Sequence, residues 1–285
     1  MHPELQQILM THRDRKGFQA VTWVSRACTK LNEYMSRAGL KACVVNLSGG
    51  IDSAVTFALA SRAANAPESP IRRVIGILQP IHSTSEIQYR AYSLSKFGEL
   101  IRVDQSEIFD SLVRVVSQAF QGKAEPSAFA KGNLKSYMRT PVAFYVAQLL
   151  AQEGDPAVVI GTGNYDEDGF LFYFSKAGDG VSDVQLIHDL HKSEVFEVGK
   201  FLGIPDSILN APPSADLWEG QTDEGEIGVS YDFVELYVCA KDDQELKDSI
   251  AGCSRDARDQ FERVGTLLER IHTRNKHKAH FPLNI

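Results

Sequence analysis

Apolar residues recur every third or fourth position from the start of the chain, and this spacing predicts helix over residues 4–38. The pattern then changes. KACVVNL at 41–47 is a short, continuously apolar run that predicts a strand, and helical spacing resumes over 51–64. Similar runs at 72–78 (RRVIGIL), 100–104 (LIRVD) and 157–163 (AVVIGTG) predict strands, with helices at 84–98, 106–121 and about 133–152. Short apolar strands alternating with helices indicate βαβ units, so the predicted fold class is α/β, a doubly wound, mostly parallel sheet with helices on both faces. The second half is less regular. Loops rich in Gly, Pro and Asp are predicted at 176–183 and 210–229, and a closing helix near 253–276 spaces Phe261, Val264, Leu268 and Ile271 by three and four. That stripe suits packing against the rest of the fold or against a second subunit. No internal repeat or long linker divides residues 1–285, which read as a single domain.

At 285 residues and 43% hydrophobic composition the chain can bury a sizeable core. A net charge of −7 argues against a general nucleic-acid coat, which needs a basic face to displace counterions from phosphates. Small anions remain possible ligands, because local amides and lysines can hold phosphate inside an acidic protein. Cys28, Cys43, Cys239 and Cys253 form no CxxC or zinc spacing and read as reduced, mostly buried thiols. No stretch approaches the ~18 apolar residues of a membrane span, and the N-terminus lacks an apolar signal core. The expected location is cytoplasmic, with neither membrane nor nucleic acid as partner.

Where the strand at 41–47 gives way to helix, the chain reads NLSGGIDSAV. Such a turn presents unpaired amides at a helix N-terminus, where the partial positive charge favours an anion. Gly49 and Gly50 allow close approach, and Ser48 and Ser53 offer hydroxyls to phosphate oxygens. Asp52 would repel phosphate unless a divalent metal came between them. A Walker A loop needs a lysine that is absent here. A bare Ser-Gly-Gly is equally consistent with a capped structural turn; the full SGGxDS after an apolar strand favours a nucleotide site.

SGGxDS resembles the loop of the ATP pyrophosphatases, which cleave ATP between its α and β phosphates. Further text narrows the resemblance: GTGNYDEDGFLFYFSKAGDGVSD at 161–183, LHKSEVFEVGKFLGIPDSI at 190–208, PPSADLWEGQTDEGEIGVSYD at 212–232 and HKAHFP at 277–282. In this order they resemble the ammonia-dependent NAD synthetase family over nearly the whole chain. The resemblance implies an adenine nucleotide alpha hydrolase-like fold and an ATP-dependent ligase. Such a ligase amidates deamido-NAD with ammonia through an adenylated nicotinate, releasing AMP and pyrophosphate, in the last step of NAD biosynthesis.

Carried over by matching position, the resemblance implies that Asn46, Leu47, Ser48, Gly49, Gly50, Ile51, Asp52 and Ser53 hold ATP together with Thr162, Lys192 and Ser214. Asp52 and Glu167 are implied to hold magnesium. Tyr137, Lys176, Asp183, His277 and Lys278 fall on segments that bind deamido-NAD, with His277 and Lys278 reaching the partner's site in a homodimer. Asp52 and Lys192 are the implied catalytic pair for adenylation, and Asp179 is the candidate for binding ammonium and helping to deprotonate it. The residues 210–228 read as a lid that keeps water from the adenylate.

Three departures stand out. GNLKSYMRT at 132–140 places Tyr137 where relatives have an arginine that contacts the dinucleotide, Ala279 replaces another arginine, and GDGVSD replaces GDGG-D. Tyr137 can stack or donate a hydrogen bond but cannot form a charged fork to phosphate; Arg139 is a candidate to compensate. No glutaminase domain is evident, so free ammonia is the expected nitrogen donor. Two other readings stay open at this stage: a different adenylating pyrophosphatase, and a nucleotide-binding module without turnover. Singly, Thr162 could end a strand, Lys192 could cap a helix and the basic tail around His277 could be solvated charge; their joint order favours the enzyme.

Overall fold

The computed structural model describes residues 1–120, 125–212 and 222–280. The helices are α1 (Pro3–Lys16), α2 (Ala20–Ala38), α3 (Ile51–Ala64), α4 (Ser85–Tyr92), α5 (Ser106–Phe120), α6 (Ala128–Gln152), α7 (Lys192–Leu202), α8 (Asp206–Leu209), α9 (Asp223–Ile227), α10 (Tyr231–Asp242), α11 (Gln244–Ala251) and α12 (Arg255–Asn275). The strands are β1 (Ala42–Leu47), β2 (Arg73–Leu78), β3 (Glu99–Arg102), β4 (Ala157–Gly161) and β5 (Val184–Gln185).

The strands form one sheet in the order β3-β2-β1-β4-β5, and every pairing is parallel. Alternate residues of β1 enter different cores. Ala42 and Val44 pack with Ala143, Ala147 and Leu150 of α6, whereas Cys43, Val45 and Leu47 pack with Trp23, Leu31, Ala54 and Phe57 of α2 and α3. Covering both faces is what allows the strands to be apolar throughout. β1 pairs with β2 on one side and β4 on the other, so the order reverses beside it and a crevice opens at the carboxyl ends of these strands.

The remaining helices form a second layer. Leu5 and Leu9 of α1 pack with Phe233, Leu236, Leu246, Ile250 and Ala257 of α10 to α12. Next to it, Phe170, Leu171, Ile227, Tyr231, Val234, Val238 and Leu268 make a further cluster that anchors the segment after β4. The stripe on α12 is thus used inside the chain, with Phe261 beside Phe233 and Tyr237.

Several boundaries differ from the sequence pattern. The helix predicted over 4–38 is two helices, because Gly17 adopts φ 57°, closes α1 on the carbonyl of Arg13 and turns the chain. The helix predicted over 84–98 stops at Tyr92 and continues as a 3-10 turn over Ser93–Phe97. α6 starts earlier than its predicted 133, at Ala128, where the Ser127 hydroxyl caps the amide of Ala130. The loop predicted at 210–229 contains α9, and residues 213–221 of that stretch, Ser214 among them, lie outside the described residues.

Candidate active site

The SGG turn follows β1 directly. Gly49 has φ 83°, a conformation that side chains disfavour, and a Cβ there would lie 2.8 Å from the carbonyl oxygen of Ile87 in α4. Gly50 begins α3. The Ser53 hydroxyl donates to the Gly50 carbonyl at 3.1 Å and accepts from the Ser48 amide at 3.3 Å, while Ser48 Oγ accepts from the Gly50 amide at 3.2 Å. Ser53 is buried, and its hydroxyl holds the turn in shape. Asn46 is likewise committed to the fold: its Oδ1 accepts from Gln79 Nε2 at 2.7 Å, and Gln79 Oε1 accepts from Gln105 Nε2 at 2.6 Å. Leu47 and Ile51 are buried in the core beneath the turn. The loop and the N-terminus of α3 line a cavity together with Thr162, Glu167 and Asp179. Thr162 stands one residue beyond β4, on the same rim.

Under the loop lies a buried charge cluster. Lys192 Nζ donates to Asp52 Oδ2 at 2.6 Å and to Glu167 Oε1 at 2.8 Å, with only 4% of the lysine side chain exposed. It also sits 4.8 Å from the centre of the Tyr231 ring, whose hydroxyl donates to Glu167 Oε1 at 2.5 Å. Asn164, fully buried, orders both carboxylates: Nδ2 donates to Asp52 Oδ1 at 2.9 Å and Oδ1 accepts from the Glu167 amide at 3.1 Å. That last contact caps the π-helical segment Tyr165–Leu171, which carries Glu167. Burial alone would push both carboxyls up. For Glu167 the lysine, Tyr231 and Asn164 outweigh it and hold the group below its ordinary value; Asp52 stays above its own, since desolvation and Glu167 exceed what Lys192 returns. Burial also lifts Asp223, at the same cavity, to about 7, with Glu167 the next cause.

Lys192 is itself held from behind. Asp166 is wholly buried; its Oδ2 accepts from the Lys192 amide at 2.8 Å and its Oδ1 meets His191 Nδ1 at 2.7 Å. Burial opposes the charged imidazole, but the hydrogen bond to Asp166 prevails and raises His191 to about 10. Glu194 closes a capping box on the His191 amide at 3.0 Å and so fixes the first turn of α7.

Asp179 reaches the cavity from a tight loop. Ser136 and Thr140, one turn apart on α6, donate to Asp179 Oδ1 at 3.0 Å and to the Gly178 carbonyl at 2.8 Å. Gly178 permits this contact, since a Cβ there would fall 2.0 Å from Ser136 Oγ. The Ser175 amide donates to the same carboxylate oxygen at 2.8 Å, and burial raises the Asp179 pKa despite these donors. Arg139 lines the cavity on this side.

The residues implied for the dinucleotide are spread more widely. Lys176 Nζ donates to the His277 carbonyl at 3.0 Å, bringing the 176–183 loop and the C-terminal turn together. Lys278 Nζ donates to the carbonyls of Phe172 and Phe174 at 3.1 and 2.8 Å. Asp183 accepts from the Val159 amide at 2.8 Å and so pins the start of β5 to β4. Tyr137 is 41% exposed on the outer part of α6. Sequence reasoning missed Asn164, Tyr231, Asp166 and Asp223. Tyr231 and Asp223 stand in the quoted 212–232 segment, but nothing local marks them as neighbours of Glu167.

A crevice at the reversal of a parallel sheet, lined by a helix N-terminus and by two carboxylates that a buried lysine bridges, places the chain among nucleotide-binding α/β proteins of the adenine nucleotide alpha hydrolase-like fold. Comparison with known proteins carries this further. Residues 23–282 match the NAD synthase family, and the chain belongs to it. It is 37% identical over 250 residues to the NH(3)-dependent NAD(+) synthetase of Methanococcoides burtonii, covering 86% of this chain and 87% of that one. Among solved structures it resembles the NMN synthetase of Francisella tularensis, with TM-score 0.76 and 26% identity over 94% of this chain and 99% of that chain. The fold is shared with the NH3-dependent NAD synthetase of Campylobacter jejuni, with TM-score 0.69, 20% identity and coverage of 94% and 99%. No described helix is long and apolar enough to cross a membrane.

Proposed function

We propose that this chain is a ligase that makes NAD from deamido-NAD, ATP and ammonia. The observation that carries the reading is Lys192 bridging Asp52 and Glu167 beneath the SGG loop, in a chain of the NAD synthase family. A nicotinate carboxylate is anionic and resonance-stabilised, so ammonia cannot displace oxide from it. The carboxylate first attacks the α-phosphorus of ATP; the bond to the β-phosphate oxygen breaks, pyrophosphate departs and an acyl-adenylate forms. Ammonia then adds to the acyl carbon and AMP leaves. Lys192 and the loop amides balance charge on the departing pyrophosphate, while the rigid crevice positions the reactants. Asp179 is the proposed group that binds ammonium and accepts its proton; its raised pKa and its fixing by Ser136 and Ser175 support the reading.

Asp52 and Glu167 suit magnesium, which prefers hard oxygen donors. Among the described residues no group of three His, Cys, Asp or Glu side chains could hold a metal. Phosphate oxygens and water would complete such a shell, as is usual for this ion. When bound, magnesium supplies further charge neutralisation for the leaving group. We also assign homodimerisation to α5 and α6, which expose Val115, Val116, Phe120, Phe129, Tyr145 and Leu149. Light scattering at micromolar concentration checks this, and a monomer there refutes it.

The deciding assay is pyrophosphate release with ATP, magnesium and ammonium chloride, with and without deamido-NAD, while NAD is followed by a coupled dehydrogenase. Release together with NAD formation is expected. A second reading, amidation of nicotinate mononucleotide, is favoured by the likeness to an NMN synthetase and by Tyr137 in place of arginine. Preference for the mononucleotide in the same assay would select it; release with neither acceptor would refute both.

A further inference from the structure

The cavity wall formed by α4 holds a cation that the proposed chemistry has not used. Arg90 lies in the last turn of α4, and its side chain lines the cavity with 12% of its surface exposed. Its Nε is buried and has no hydrogen-bond partner among the described residues. Its ion-pair contact to Glu86 Oε1 spans 3.9 Å, too long for a hydrogen bond, and the Glu86 side chain is 80% exposed. A guanidinium carries five N–H donors in a rigid plane, and burying one without acceptors is costly. Position at a helix C-terminus would account for a cation here, but such a cation stays solvated or bonds the last carbonyls. Arg90 does neither: it turns inward, against the loop. A Cβ at Gly49 would stand 3.6 Å from Arg90 Cβ, so the arginine is seated on the SGG turn itself.

We propose that Arg90 binds the terminal phosphates of ATP, and so the pyrophosphate that leaves, closing the phosphate site from the side of α4. The assignment rests on the functional reading above. An anion over the turn would meet the loop amides from below and a planar donor fork from the side. Arginine forks match phosphate oxygens in pairs, whereas Lys192 is a point charge already shared between two carboxylates. The adenosine half of the nucleotide makes no demand on such a fork, so the binding should discriminate by phosphate content.

Isothermal titration of the full chain with ATP, inorganic pyrophosphate and AMP, in magnesium buffer, tests this with Arg90→Gln and Arg90→Lys. Arg90→Gln should weaken ATP and pyrophosphate about tenfold or more, the order expected for a charge-assisted hydrogen bond. AMP binding should change less than twofold, and Arg90→Lys should fall between wild type and Arg90→Gln for pyrophosphate. The melting temperature of each variant reports whether the fold is kept, and the lysine variant retains the charge should glutamine destabilise α4. Equal weakening of AMP and pyrophosphate would make Arg90 a structural prop and overturn the assignment, as would unchanged pyrophosphate binding in Arg90→Gln. Failure of the wild-type chain to bind ATP would overturn the functional reading and the assignment together, whereas wild-type binding that Arg90→Gln leaves intact overturns the assignment alone.

Discussion

Replacing Lys192 by methionine keeps the length of the side chain and removes its charge. Asp52 Oδ2 and Glu167 Oε1 lose their common donor, held at 2.6 and 2.8 Å, and face each other in a buried site. Breaking a buried ion pair by removing one partner costs about 3–5 kcal/mol, most of it from charge left without compensation. For a domain of this size each kcal/mol shifts the melting temperature by roughly 2–4 °C, so a fall of about 6–20 °C is expected. The double variant Asp52→Asn/Lys192→Met should recover part of that loss, because a single carboxylate then remains and Tyr231 still donates to it. Thermal unfolding of wild type, both single variants and the double variant closes a double-mutant cycle. A melting temperature unchanged in Lys192→Met, or strictly additive losses in the double variant, would refute the reasoning. Turnover in Lys192→Met should fall by about 100- to 1000-fold, the effect of removing one preorganised stabiliser of developing charge.

The pairing of His191 with Asp166 makes stability depend on pH. Because the folded imidazole is raised to about 10 from 6.5, the folded state holds an extra proton between those values. The contribution is whole below pH 6.5 and is lost as pH rises toward 10; a melting curve over that window should slope downward and flatten in His191→Gln. Gly49→Ala must adopt φ 83° and displace the Ile87 carbonyl, at a backbone cost of about 1–2 kcal/mol. Weaker ATP binding in calorimetry is expected, and unchanged affinity would show that the turn tolerates a side chain. Asp179→Asn should slow amide formation yet leave the exchange of labelled pyrophosphate into ATP, since the proposed adenylation step consumes no ammonia. Equal loss of both activities would place Asp179 in the first step instead.

What the sequence made legible follows from the range of each interaction. β1, the SGG turn and α3 could be read because strand, glycines and helix adjoin, and α3 begins at Ile51 as expected. Gly17 is a local signal too, but the apolar spacing continues across it, and only its left-handed conformation separates α1 from α2. Tyr231 and Arg90 were not legible as site residues. The first meets Glu167 from 64 residues away and the second meets Gly49 only because α4 folds over the loop. Asn164 stood inside a quoted motif, yet its task of holding Asp52 and Glu167 together depends on a π-helical turn that no spacing announces. The resemblance puts Asp183 in a binding segment; what the structure shows of it is the contact with the Val159 amide, which holds the sheet.

The seating of α1 has a consequence for how the chain is made. Leu5 and Leu9 leave the ribosome long before α10, α11 and α12, the helices whose residues they pack with. The same closure is drawn by polar contacts, from the Ser254 amide to Glu4 at 2.8 Å and from the His2 amide to Gln260 at 2.6 Å. The sheet around β1 can assemble as soon as β4 emerges, while α1 waits with its apolar face uncovered. During that interval the nascent chain presents the uncovered Leu5 and Leu9, apolar surface of the kind that holdase chaperones shield.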